Sequence, residues 1–211
     1  GTAGQLSREP FMDYCKLGNT DLTVSAIGLG CVTFGREIHR DAAFAVADRA
    51  LERGITLFDT AEAYAAGASE TVLGEWIADR GIRDRIVLAT KVAGKLTRQR
   101  IVSSAEESLQ RLRTEQIDLF QLHSWDDETP LEETLSALTE LIEQGKVRYA
   151  GCSNWTASQL RGALTLAEQS GFARLDSVQP PYNLVQREIE ADLLALCADR
   201  QVGVISYSPL A

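Results

Sequence analysis

At 211 residues, 45% hydrophobic and 24% charged, the chain has the length and apolar content for one sizeable core. Its net charge of −9 argues against a nucleic-acid groove, leaving room at most for a local basic pocket that takes one phosphate. No apolar run approaches the length of a membrane span and no signal-peptide core opens the chain, so a cytoplasmic protein with no membrane partner is expected.

The opening "GTAGQLSREPF" reads as a loose leader or expression remnant, which leaves one domain over 12–211. "DYCKLGNTDLTVSAIGLG" predicts a β-hairpin turning near Gly18-Asn19, with a strand signal at Ile27–Cys31. A helical pattern starts at Asp41, puts Phe44, Ala47, Ala50 and Leu51 on one face, and stops at Gly54. In "GITLFDTAEAY" the apolar run Thr56–Phe58 then stops on Asp59, and Tyr64 follows five residues later. Val72, Leu73, Trp76 and Ile77 share the next helical face. The strand signal Ile86–Thr90 is followed by Lys91, and Ile101, Ala105, Leu109 and Leu112 mark another helix. Ile117–Leu122 is followed by His123.

Thr129-Pro130-Leu131-Glu132 predicts a capped helix start, with Thr129 as the cap and Leu131, Leu135, Leu138, Leu141 and Ile142 as the stripe up to Gly145. Val147–Gly151 precedes Ser153-Asn154, and Thr156 with Gln159 repeats the capping pattern ahead of Leu160 and Leu164. Ser177–Gln179 is the sixth strand of the alternation. Ile189, Leu193 and Leu196 mark the last helix, and Val202–Tyr207 the last strand, with Ser208 after it.

Strands and helices in strict alternation predict a parallel sheet. A dinucleotide-binding Rossmann turn requires a third glycine, and "GLGCVTFG" has Gly28 and Gly30 but Thr33 in its place. A (β/α)8 barrel is favoured instead, because it brings the polar residues that end the strands onto one rim. Cys15, Cys31, Cys152 and Cys197 show no C-x-x-C spacing and only His39 and His123 accompany them, so no metal site is expected. The thiols read as buried and free in a reducing compartment.

Taken singly, the rim residues have ordinary readings: Asp59 as a cap or turn residue, Tyr64 as a surface ring, Lys91 reaching solvent, His123 as a bonded core histidine, Ser153-Asn154 as a turn. Together they form a set that chemistry can use. An ammonium beside a phenol favours the ionised phenol, and a carboxylate holds the ammonium in place. Such a phenol can give a proton to a carbonyl oxygen while a histidine polarises the same carbonyl. This is acid catalysis without a nucleophile, which suits hydride addition from an external donor.

The stretches "MDYCKLGNTDLTVSAIGLGCVTFG", "GITLFDTAEAY", "LATK", "DLFQLHSWD", "GKVRYAGCSNW", "SVQPPYNLVQREIE" and "YSPLA" run in order from Met12 to Ala211, and together they resemble the aldo-keto reductase superfamily. The resemblance implies a (β/α)8 barrel that binds NADPH across its C-terminal rim and reduces an aldehyde or ketone. Carried over, it makes Tyr64 the general acid, with Asp59 and Lys91 tuning it and His123 orienting the carbonyl. Ser153, Asn154 and Gln179 would bind the nicotinamide carboxamide, Tyr207 would stack on the ring, and Ser208 and Leu210 would line the pyrophosphate path. Phe34, Trp125 and Tyr182 are candidates for the substrate mouth, beside the equal reading that they pack under loops.

Two departures stand out. "VAGKL" is a short connection after Lys91, and the chain stops after the seventh barrel strand, short of the usual barrel size of about 250 residues. The chain is therefore expected to be incomplete, a barrel truncated before its eighth strand and basic cofactor grip. The alternatives are a cofactor-binding regulatory subunit, as in the potassium-channel β subunits that share the barrel, an idle fragment, or an aldolase using Lys91 as a Schiff base.

Overall fold

The computed structural model describes residues 12–210; the leader expected over 1–11 lies outside them. Strands β1 (Tyr14–Lys16) and β2 (Thr23–Ser25) form the antiparallel hairpin. Seven further strands follow: β3 (Leu29–Gly30), β4 (Leu57–Asp59), β5 (Val87–Val92), β6 (Ile117–Leu122), β7 (Val147–Ser153), β8 (Leu175–Gln179) and β9 (Gly203–Val204). They pair in chain order, all parallel, as the curled seven-stranded part of a (β/α)8 barrel. Among the described residues β3 and β9 are its two edges.

Helices α1 (Arg40–Glu52), α2 (Ala68–Arg80), α3 (Arg98–Leu112), α4 (Leu131–Glu143), α5 (Ala157–Ser170) and α6 (Leu193–Arg200) fill the connections. Side chains alternate across each strand, so one set meets the helices and the other the barrel interior. The helix side buries Phe58, Leu88, Phe120 and Val178 with Trp76, Ile101, Leu138 and Leu160. The interior set is smaller: Leu57, Val87, Ala89 and Leu119 pack with Leu17, Leu22 and Val24 of the hairpin region, which plugs the lower end of the barrel. Gly18 makes that plug fit, since its φ is +56° and a Cβ there would lie 2.6 Å from the Gly203 nitrogen.

Above this apolar layer the interior turns polar. Asp59 sits two residues beyond Leu57 on the same face, and Lys91, Gln121, Gly151, Ser177 and Gly203 are register partners across five adjacent strands. Lys91 and Ser153 thus lie within strands, not after them as the apolar runs suggested.

Several local expectations are corrected. α4 begins after Pro130 with no side-chain cap, because the Thr129 hydroxyl donates to Asp126 Oδ2 at 2.6 Å instead. Thr156 and Gln159 do form a reciprocal capping box on α5. Ile189 lies in a short 3-10 turn (Glu188–Glu190) ahead of α6. The strands expected at Ile27–Cys31 and Val202–Tyr207 are two paired residues each, Leu29–Gly30 and Gly203–Val204. Cys31, Cys152 and Cys197 are buried, whereas Cys15 is exposed on the hairpin.

Candidate active site

Lys91 organises the upper interior. It is fully buried, and its ammonium donates to Asp59 Oδ2 at 2.6 Å, to the Thr60 carbonyl at 2.8 Å and to the Tyr64 hydroxyl at 3.2 Å. Three donors meet three acceptors, so the buried cation is fully satisfied. The other oxygen of Asp59 accepts from Gln121 Nε2 at 3.1 Å and Gln179 Nε2 at 3.0 Å. The carboxylate is therefore fixed from three sides, by β5, β6 and β8.

Tyr64 opens a short 3-10 turn, Tyr64–Gly67, after β4. Its ring stands edge-on to His123, with centroids 5.7 Å apart at 82°. Burial, and then the nearby Lys91 charge, lower the His123 pKa from its usual value. The buried Nδ1 of His123 has no hydrogen-bond partner.

A cavity of about 620 Å³ opens over this group. Asp59, Tyr64 and His123 line it together with Gly30 and Val32 around β3 and Ile205–Pro209 after β9. Ser153, Asn154, Gln179, Tyr207 and Ser208 all line it, as the sequence set them together. They are also bonded to one another. Ser153 Oγ donates to the Gln179 carbonyl at 2.7 Å, Asn154 Nδ2 donates to the His123 carbonyl at 3.0 Å, and the Tyr207 hydroxyl donates to Asn154 Oδ1 at 2.8 Å.

Four sequence candidates do not reach the cavity wall. Leu210 is 94% exposed and is not among the lining residues. Phe34 is buried in the helix-side core, where its apolar ring gains most. Trp125 packs edge-on against Trp155 at 4.6 Å, with its indole N–H turned to Asp127. Tyr182 donates its hydroxyl to Glu190 at 2.7 Å. Conversely, Gln121 and Glu62 belong to the site's surroundings and were missed. A glutamine within an otherwise apolar strand run, in register with Lys91, was the available signal for the first.

A larger groove of about 920 Å³ lies among Arg83, Asp118, Lys146 and Arg148, away from this chemistry. Its cations are paired with carboxylates, Arg83 and Arg148 with Asp118, Arg113 with Glu75 and Lys146 with Glu106. Among the described residues no group of three or more His, Cys, Asp or Glu is placed to hold a metal, and no helix is long and apolar enough to cross a membrane.

Comparison with known proteins agrees with this geometry. The sequence profile of the Aldo/keto reductase family matches residues 26–211. The chain is 37% identical to the uncharacterized oxidoreductase YrpG of Bacillus subtilis (strain 168), covering 95% of this chain and 67% of that one. It is 36% identical to the aldo-keto reductase YhdN of the same organism (94% and 62%) and 34% identical to protein tas of Escherichia coli strain K12 (94% and 68%). The chain thus spans about two thirds of the length of these curated relatives. With the barrel, the ordered rim residues and a match over most of its length, the chain belongs to the aldo/keto reductase family.

Proposed function

We propose that this chain carries the reaction centre of an NADPH-dependent reductase that converts an aldehyde or ketone to an alcohol. The observation that carries the reading is the contact of one buried ammonium, Lys91, with both Asp59 and the Tyr64 hydroxyl beneath an open cavity. Because the Tyr64 oxygen accepts from Lys91, its own O–H is left to donate into the cavity. Tyr64 is then the group that passes a proton to the carbonyl oxygen, and His123, which lines the same cavity, polarises that oxygen. A bound nicotinamide supplies the hydride to the carbonyl carbon. Hydride and proton together make up the alcohol, and no covalent bond to the protein is needed.

The residues fit the nicotinamide end of such a cofactor. Tyr207, Tyr64 and His123 supply aromatic rings to the cavity lining, and Asn154 and Gln179 supply carboxamides. One Nε2–H of Gln179 is spent on Asp59, which leaves its second N–H and its oxygen for the cofactor amide. No lysine or arginine is among the described lining residues, so the preference for NADPH over NADH rests on family resemblance alone.

The aldolase reading fits poorly. A Schiff-base lysine must present a neutral, accessible amine. Lys91 is fully buried and spends its donors on Asp59, Thr60 and Tyr64.

The test is to follow NADPH consumption with simple aldehydes for the protein and for Tyr64→Phe. Removing the proton donor is expected to lower kcat about 10²- to 10⁴-fold, the usual worth of a positioned general acid, with cofactor affinity nearly unchanged. Full turnover by Tyr64→Phe refutes the assignment. NADPH binding without turnover in the unmodified protein points to the regulatory-subunit reading.

A further inference from the structure

We propose that Glu62 is a positioning residue that fastens the Tyr64 loop to α3 and so sets the Tyr64–Lys91 contact. This rests on the reading of Tyr64 as the proton donor. Glu62 lies on the connection between Asp59 and Tyr64, and its side chain is 8% exposed although charged. One carboxylate oxygen accepts the Ala93 backbone N–H at 2.7 Å and pairs with the Arg100 guanidinium; the other accepts from Ser104 Oγ at 2.6 Å. Its own backbone N–H donates to the Lys91 carbonyl at 3.2 Å. A loop glutamate needs no burial for stability, and a buried carboxylate is costly unless it is paired and bonded. Here every bond runs to the strand that carries Lys91, the short connection beyond it, or the helix that follows.

The loop needs such fastening. Tyr64 is followed by Ala65 and Ala66, both in the left-handed region at φ 51°. Each such non-glycine residue costs about 1 kcal/mol or more and persists only where its surroundings hold it. The downstream end is also fixed on α3. Gly67, at φ +88°, lies under Arg111, whose Cδ would sit 2.9 Å from a Cβ there, and Arg111 is bonded to buried Glu70 at 2.6 Å. α3 thus grips the tyrosine loop at two points, through Arg100 and Ser104 before Tyr64 and through Arg111 after it. Without the upstream grip, strain in the two alanines has a route to relax, and it would move the phenol off Lys91 Nζ. The connection after Lys91 is short (93–97), and Glu62 fills the place it leaves by bonding the Ala93 N–H directly.

The experiment compares the unmodified protein with Glu62→Ala, Glu62→Gln and Arg100→Met in two readouts. In cofactor-free crystal structures, Glu62→Ala is expected to carry the Tyr64 hydroxyl beyond hydrogen-bond reach of Lys91 Nζ. In kinetics, Glu62→Ala is expected to lower kcat about 10- to 100-fold, the scale of an ångström-sized misplacement, with KM and NADPH affinity within twofold. Glu62→Gln, which can still accept from Ala93 and meet Ser104, should recover most of the rate. Arg100→Met, a gentler change that keeps the carboxylate, should show a smaller loss of kcat in the same direction and serves if Glu62→Ala does not fold. A purely structural role predicts a lower melting temperature with kcat unchanged. That result, or an intact Tyr64–Lys91 contact in Glu62→Ala, overturns the proposal. Absence of turnover in the unmodified protein counts against the reductase reading, and the crystal readout still decides the positioning role.

Discussion

Asp59→Asn is expected to be among the most destabilising changes at the site, because among the described residues Asp59 supplies the one carboxylate bonded to a fully buried ammonium. Lys91 Nζ would keep the Thr60 carbonyl, the Tyr64 hydroxyl and at best a neutral amide oxygen, but lose its counter-charge at 2.6 Å. Breaking a buried ion pair from one side costs about 3–5 kcal/mol, a large part of the 5–15 kcal/mol that holds a typical domain together. Lys91→Met strands less. Asp59 is 15% exposed and keeps two amide donors, Gln121 and Gln179, so a cost of about 1–3 kcal/mol follows. The double variant Asp59→Asn/Lys91→Met leaves no unpaired charge and should lie well below the sum of the singles. Urea unfolding at pH 7 of the four proteins gives each term. Additive losses, or a loss under about 1 kcal/mol for Asp59→Asn, would mean that the ammonium is not dry and that the pair does not hold it.

Two further tests concern groups away from the chemistry. Burial raises the Asp176 pKa from 3.8 to about 6, with Arg174 only partly opposing; folding therefore favours its protonated form, and the gain is complete below about pH 4 and lost as pH rises through 6. Asp176→Asn should be relatively more stable at pH 8 than at pH 4 by up to about 3 kcal/mol, two units at 1.36 kcal/mol each, and a pH-independent difference in melts refutes this. Thr156→Ala removes the cap of α5 and should cost about 1 kcal/mol, read by the same melts; a neutral effect would mean that Gln159 alone secures that helix start.

The candidate site was legible because barrel strands end on polar residues and all their ends meet at one rim. Asp59, Lys91, His123, Ser153 and Gln179 each follow or finish an apolar run, and the fold brings them to one cavity or, for Lys91, directly beneath it. What stayed hidden depends on register and direction. Gln121 reads as one polar letter in an apolar strand until the pairing places it beside Lys91 and its side chain on Asp59. Glu62 reads as a loop acid until α3 packs under it. Phe34 and Trp125 could be read either way from sequence: an aromatic near the mouth has two sides to turn to, and here one lies in the core and the other against a second ring. Thr129 failed as a cap for a local reason, since Asp126 offered its hydroxyl a charged acceptor three residues back.

The site is built in two parts of unequal rigidity, and the sheet order explains why. Asp59, Lys91 and Gln121 stand on β4, β5 and β6, each with a paired strand on both sides, so their backbones are fixed independently of anything in the cavity. Ile205–Pro209, which follow β9, are held by separate bonds: the Ile205 N–H to the Val178 carbonyl, the Tyr207 N–H to the Pro180 carbonyl, the Tyr182 N–H to the Tyr207 carbonyl, the Tyr207 hydroxyl to Asn154, and Asn183 to the Ser208 carbonyl. Exposed backbone with few ladder bonds opens at lower free energy than a strand paired on both sides. The Asp59–Lys91–Tyr64 contacts therefore rest on strands paired on both sides. In the reductase reading proposed above, substitutions within 205–209 are expected to alter cofactor affinity first and to leave those contacts intact.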